Sequence, residues 1–147
     1  MSQTTGSTSM ELSESILKSI HEAVIYADLK GAIQYWNHGA ETVFGFSAEE
    51  AVGQSLDIII PEKLRKAHWD GYEKAIARGD TISGRGSRIT RATHKSGQTL
   101  YVDMSFAMVR NQSNELIGSL AVARDATERY QEERKLRQQV AGLAPSA

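Results

Sequence analysis

The chain has 147 residues, 40% of them hydrophobic and 24% charged, with a net charge of −1. That is the composition of one soluble globular domain, and it excludes the basic excess that a nucleic-acid groove or a polybasic membrane contact requires. Cysteine is absent, which removes thiolate nucleophiles, Cys-ligated zinc, iron–sulfur clusters, flavin–cysteine adducts and disulfides together, and fits a reducing cytoplasm.

After Met1, residues 2–9 are Ser, Thr, Gln and Gly with no basic or apolar stretch, so residues 1–9 read as a flexible tail and not as a secretory signal. Leu12, Ile16, Leu17 and Ile20 recur at helical spacing, predicting an N-terminal helix over 10–20. From Ala23 to Trp36 the pattern is strand, tight turn, strand, with Gly31 supplying the turn's positive φ. Asn37 is placed to cap a short helix that ends at Gly45, and Ser47 with Glu50 has capping-box spacing for a second that stops at Gly53. Pro61-Glu62 opens the longest central helix and Gly79 closes it. Ile82 to Thr93, Leu100 to Val109 and Leu116 to Ala123 read as three further strands in meander order, separated by polar turns. From Thr127 the residues are charged and helix-forming. No apolar run approaches the roughly 20 residues of a membrane span. The order of elements is α+β: one antiparallel sheet with helices over one face. The expected division is a tail over 1–9, a helix over 10–20, a core over 21–126, an output helix over 127–141 and a tail over 142–147.

An ordered set of motifs runs through this core: Tyr35-Trp36-Asn37, Ala40-Glu41, Phe44-Gly45-Phe46-Ser47, Ile60-Pro61-Glu62 and Lys95-Ser96-Gly97, closing with Asn114 to Gly118 and Arg124-Asp125-Ala126-Thr127-Glu128. In this it resembles the PAS sensor domains over nearly all of Leu17 to Arg129. The resemblance implies a five-stranded sheet in the order 2-1-5-4-3, folded with its helices around a small-ligand pocket. It also implies a signal-relay joint at Asp125, Ala126 and Thr127, between the last strand and the output helix.

His68 is the residue to weigh. In a helix opened by Pro61 it shares one stripe with Leu64, Ala67, Gly71, Tyr72, Ala75 and Ile76. A neutral imidazole there suits a metal ligand, and Gly71 one turn on would let a flat ring approach the backbone. The competing reading is a core histidine bonded to a backbone carbonyl. The resemblance sharpens the first reading. In haem-binding PAS domains of rhizobial oxygen-sensor kinases and direct-oxygen-sensor phosphodiesterases, the proximal histidine stands seven residues after the proline, as His68 does after Pro61. A distal arginine follows after twenty residues, which is Arg88, and the same register places Met104 and Phe106 on the apolar distal wall. The resemblance therefore implies haem b, with His68 as proximal iron ligand, Arg88 facing a bound gas and Met104 available as sixth ligand. The bound ligand otherwise open to the pocket is FAD, FMN or another small metabolite, or the domain is a cofactor-free interaction module.

The remaining histidines, His21, His38 and His94, have no metal-ligand spacing, and no phosphate loop or nucleophile elbow is present. No enzymatic machinery is expected. The resemblance implies that Asp125 pairs with a basic residue such as Lys95 or Arg91 to hold the output helix. The apolar residues of the two terminal helices, Leu12 and Ile16 at one end and Leu136, Val140 and Leu143 at the other, suit a homodimer. The expected function is cytoplasmic ligand sensing relayed to a fused or separate effector: a histidine kinase, a cyclase or phosphodiesterase, or a transcription regulator. Direct contact with nucleic acid or membrane is not expected.

Overall fold

The computed structural model describes residues 2–80 and 86–143. Helix α1 (Ser2–Ser19) is followed by strands β1 (Ala23–Asp28) and β2 (Ile33–Trp36). Helices α2 (His38–Phe44) and α3 (Ala48–Ala51) come next, then two 3-10 turns (Leu56–Ile59 and Glu62–Leu64) and helix α4 (Arg65–Arg78). Strands β3 (Arg88–Thr93), β4 (Thr99–Arg110) and β5 (Leu116–Asp125) lead into helix α5 (Thr127–Leu143). The strands make one antiparallel sheet in the order β2-β1-β5-β4-β3, which is the α+β architecture and strand order expected.

Local chemistry explains where the elements start and stop. Asp28 Oδ1 accepts from the amides of Lys30 and Ala32, closing the β1–β2 turn, and Gly31 takes φ +84° there. A side chain at Gly31 has no room: a Cβ would stand 2.2 Å from the Trp69 ring. Asn37 caps α2 by accepting from the Ala40 amide, and Gly45 ends that helix in the left-handed conformation. Ser47 and Glu50 form the expected capping box on α3. The proline-led helix is broken into two pieces. The Leu64 amide bonds back to the Pro61 carbonyl at 2.8 Å, closing a 3-10 turn, so that α4 proper begins at Arg65.

Register and burial place the core. Ile25 lies opposite Trp36 and Ala121, and Ala121 lies opposite Phe106, so one face of the sheet carries these side chains toward the helices. Phe44, Ile25, Ile33 and Val102 are the largest fully buried side chains. Trp36 packs against Phe44 and Phe46 with ring centroids 5.6 and 6.4 Å apart.

Two ends differ from expectation. Helix α1 begins at Ser2, where a tail over 1–9 was expected; further along it, serine hydroxyls bond back one turn, Ser13 to the Ser9 carbonyl and Ser19 to that of Ser15. Helix α5 continues through Gly142 to Leu143, and the rest of the tail expected over 142–147 lies outside the described residues. So does the start of the strand expected from Ile82, since β3 begins at Arg88.

Candidate functional site

Helix α4 has no buried residue. Its half-buried positions are Arg65, His68, Trp69, Tyr72, Ala75 and Ile76, while Ala67 and Gly71 are exposed. The expected apolar stripe is thus rotated, and Trp69, absent from it, is a principal contact. Trp69 Nε1 donates to Asp57 Oδ1 at 2.7 Å and its ring covers Gly31. Arg65 donates to the carbonyls of Ile60 and Asp57. No motif announced Trp69, because its partners lie 12 and 38 residues earlier in the chain. At the far end the Arg110 guanidinium donates to the Gly79 and Asn114 carbonyls at 3.3 and 3.0 Å. The helix is held by polar clamps more than by packing.

His68 sits between the packed and the open stripe of α4. Its ring is edge-on to Trp69 at 4.7 Å and tilted toward Tyr72 at 5.8 Å. Nδ1 is buried with no hydrogen-bond partner, so the carbonyl-bonded core histidine is not what the structure contains. Burial pushes the imidazole below its ordinary range, with the Asp57 carboxylate opposing, and His68 is neutral near pH 7. A buried polar atom without a partner is rare and costly in folded proteins, and it calls for an explanation.

Opposite α4 the sheet offers an apolar surface. Tyr72 fixes where the helix crosses: its hydroxyl donates to the Asp28 carbonyl at 2.6 Å and lies 3.0 Å from Ser119 Oγ on β5. Ser119 pairs with Met108, and two residues along β4 Phe106 pairs with Ala121. Phe106 remains 37% exposed although it is on this inner face. Met104, next on the same face, is buried, and Arg88 is its cross-strand partner on β3, exposed at the sheet edge. The expected residues therefore form two groups. His68 and Tyr72 are together on α4, with Leu64 half-buried at its start and Gly71 open, where a Cβ would meet no atom within 4 Å. Arg88, Met104 and Phe106 are together on the sheet. Among the described residues no hydrogen bond joins His68 to Arg88 or Met104.

The second strand's end is fully engaged elsewhere. Trp36 Nε1 donates to the Phe46 carbonyl at 2.9 Å. Asn37 is buried; its Oδ1 accepts from the amides of Val24 and Ala40, and its Nδ2 lies 3.0–3.3 Å from the carbonyls of Leu17, Ile20 and Glu22. This one amide ties the end of α1, the start of β1 and the start of α2. Its capping role was legible in the sequence; its hold on α1 was not.

At the output joint, Asp125 Oδ1 accepts from the Thr127 amide, the Ala126 amide donates to the Tyr101 carbonyl at 2.7 Å, and the Tyr101 amide donates to Thr127 Oγ1 at 3.0 Å. Tyr130 stacks on Tyr101 at 3.8 Å. The expected Asp125 pairing gives way to a different one: Lys95 pairs with Glu50, and the acidic partner of the α5 root is Asp103, held by Arg124 and Arg129 at 3.4 and 3.3 Å. Hydrogen bonding from Ser87, with Arg129 and Arg124 adding to it and burial opposing, keeps the Asp103 carboxyl below the usual carboxylate range. His38 and His94 engage Glu41 and Ser96 respectively. Among the described residues no His, Asp or Glu cluster suits a metal ion, and no helix is long and apolar enough to cross a membrane.

A family model described as the PAS fold matches residues 11–126. Sensor protein FixL of Bradyrhizobium diazoefficiens is 33% identical over 129 residues, covering 84% of this chain and 24% of that protein. Oxygen sensor protein DosP of Escherichia coli is 28% identical over 107 residues, 72% of this chain and 13% of that one. Among solved structures, a PAS domain from Colwellia psychrerythraea superposes with a TM-score of 0.70 at 23% identity, covering 81% of this chain and 98% of that one. An RNA-binding light-oxygen-voltage receptor also gives 0.70, at 20% identity, over 89% of this chain and 37% of that one. The chain spans about a quarter or less of the length of these curated relatives.

Proposed function

Because the chain belongs to the PAS fold family, related to sensor proteins and phosphodiesterases, we propose that it is a sensory module that takes haem between α4 and the inner face of the sheet. The observation carrying this is the buried, unpartnered Nδ1 of His68, on a helix with no buried residue and across from a sheet face that leaves Phe106 exposed.

The residues fit such a group. His68 is a neutral imidazole whose stability cost is already present without a ligand, as expected of a side chain kept for binding and not for packing. Met104 and Phe106 supply an apolar, polarizable wall, Leu64 and Tyr72 flank the histidine, and Gly71 leaves open space one turn away. Haem would supply reversible gas binding or a change of redox state. The chain's own contributions are the ligand at His68, a second candidate ligand at Met104 and a cationic donor at Arg88.

The module's division follows: a sensory core over 21–126 with flanking helices, joined to the output helix at Asp125, Ala126 and Thr127. Exposed Leu12, Ile16, Leu136, Val140 and Leu143 support pairing of two copies through both helices. The signal would pass to an effector carried in the same protein or bound to it, of the kinase or phosphodiesterase class that the relatives' names indicate, in the cytoplasm.

Protein purified from haem-supplied cells is expected to show a Soret band that His68→Ala abolishes. A colourless protein under those conditions overturns the haem reading. Mass spectrometry of material released on denaturation then separates a flavin or metabolite binder from a cofactor-free module.

A further inference from the structure

Polar anchors hold α4 along its length: Arg65 on the Ile60 and Asp57 carbonyls and Trp69 on the Asp57 side chain near its start, Arg110 on the Gly79 carbonyl at its end, and Tyr72 in the middle. The outer ones reach a turn and a hairpin end. Tyr72 reaches the centre of the sheet. Its hydroxyl proton goes to the Asp28 carbonyl at 2.6 Å, an oxygen already fixed by the Gly31 amide at 3.0 Å. A lone pair of the same hydroxyl is left to accept from Ser119 Oγ at 3.0 Å. Ser119 is 8% exposed and pairs with Ala27 on one side and Met108 on the other. It is therefore laced into three strands, and six residues further along β5 stands Asp125, which caps the root of α5.

We propose that the Tyr72–Ser119 hydrogen bond is the link through which a change at α4 is passed to β5 and on to the α5 joint. Its biological use rests on reading α4 as the ligand-bearing helix, but the link itself is a property of the bare chain. His68 lies one turn before Tyr72 with the rings 5.8 Å apart, so a reorientation of the imidazole presses on the tyrosine. Separating the two hydroxyls strands a buried serine, so α4 and β5 move together. A β-strand paired on both sides carries that displacement along its length rather than absorbing it locally.

The test is a double-mutant cycle on the full chain, read by amide chemical shifts. His68→Ala is expected to move the amides of Ser119 and Thr127 when Tyr72 is present. In a Tyr72→Phe background the same substitution is expected to move them at least fivefold less, while amides within α4 still respond. Ser119→Ala, which leaves the bond to Asp28 in place, is expected to give the same loss and guards against a misfolded Tyr72→Phe. Full-sized shifts at Ser119 and Thr127 in both backgrounds overturn the proposal. So does the absence of any shift there when Tyr72 is present, since α4 then does not act on β5. None of these readings requires haem. The Soret band of Tyr72→Phe reports on the ligand reading separately, so either idea can fail while the other stands.

Discussion

The two halves of the helical layer are built on opposite terms. Around α2, Phe44, Ile25, Ile33 and Trp36 are buried almost completely and Asn37 satisfies its amide on every side. On α4 itself no residue is buried, hydrogen bonds supplement the packing of Trp69 and Tyr72 on the core, and one imidazole nitrogen has no partner. The first half is a scaffold whose free energy comes from close packing. The second is the half we propose as the binding site, where stability is given up at His68.

That contrast can be broken by mutation. Phe44→Ala is expected to cost about 3–5 kcal/mol in denaturant unfolding, whereas Leu64→Ala, half-buried at the start of α4, is expected to cost about 1 kcal/mol. Equal losses would erase the distinction. Asn37→Ala removes acceptors from two buried amides and a helix cap, and is expected to cost about 2–3 kcal/mol in the same assay. A loss under about 0.5 kcal/mol would mean that the amide is not the joint it resembles.

On the α4 side the sign reverses. His68→Leu replaces an unpartnered polar ring with an apolar side chain and is expected to raise stability by about 1 kcal/mol while abolishing ligand binding. A destabilised variant would show that the imidazole is satisfied in solution. The same burial makes a pH prediction. Because the folded protein holds His68 below its ordinary pKa, the unfolded chain binds the proton first as pH falls. Stability should therefore decline below about pH 6.5 and the decline should level off once the folded histidine also titrates. His68→Gln should flatten that part of the profile. The Asp103 contribution is lost only at lower pH, since its carboxyl is held below the carboxylate range, which keeps the two regions separable. An unchanged profile in His68→Gln would assign the slope to other groups.

How much of this was legible in the sequence follows the same divide. Local signals carried the scaffold: the Asn37 cap, the Ser47–Glu50 box, the Gly31 turn and the strand order implied by the motif set all recur in the structure. His68 could be singled out because helical spacing, and the distance from Pro61 that the resemblance made meaningful, are local too. Contacts that depend on how α4 is rotated over the sheet were not visible. Trp69 on Gly31 and Tyr72 on Ser119 join positions 38 and 47 residues apart, and a helix that buries nothing has no apolar stripe sharp enough to fix its rotation. The Asp125 pairing that the resemblance implied gives way because Lys95 goes to Glu50, and sequence spacing does not reveal that Asp103, on the neighbouring strand, is the carboxylate that Arg129 of α5 reaches.

Whether α4 and the sheet enclose a ligand held by His68 is tested most directly by a haem titration followed at the Soret maximum. A one-to-one titration with the original sequence, lost in both His68→Ala and His68→Leu while Phe106→Leu only weakens it, is the predicted result. No saturable band, or one that persists without His68, would contradict it.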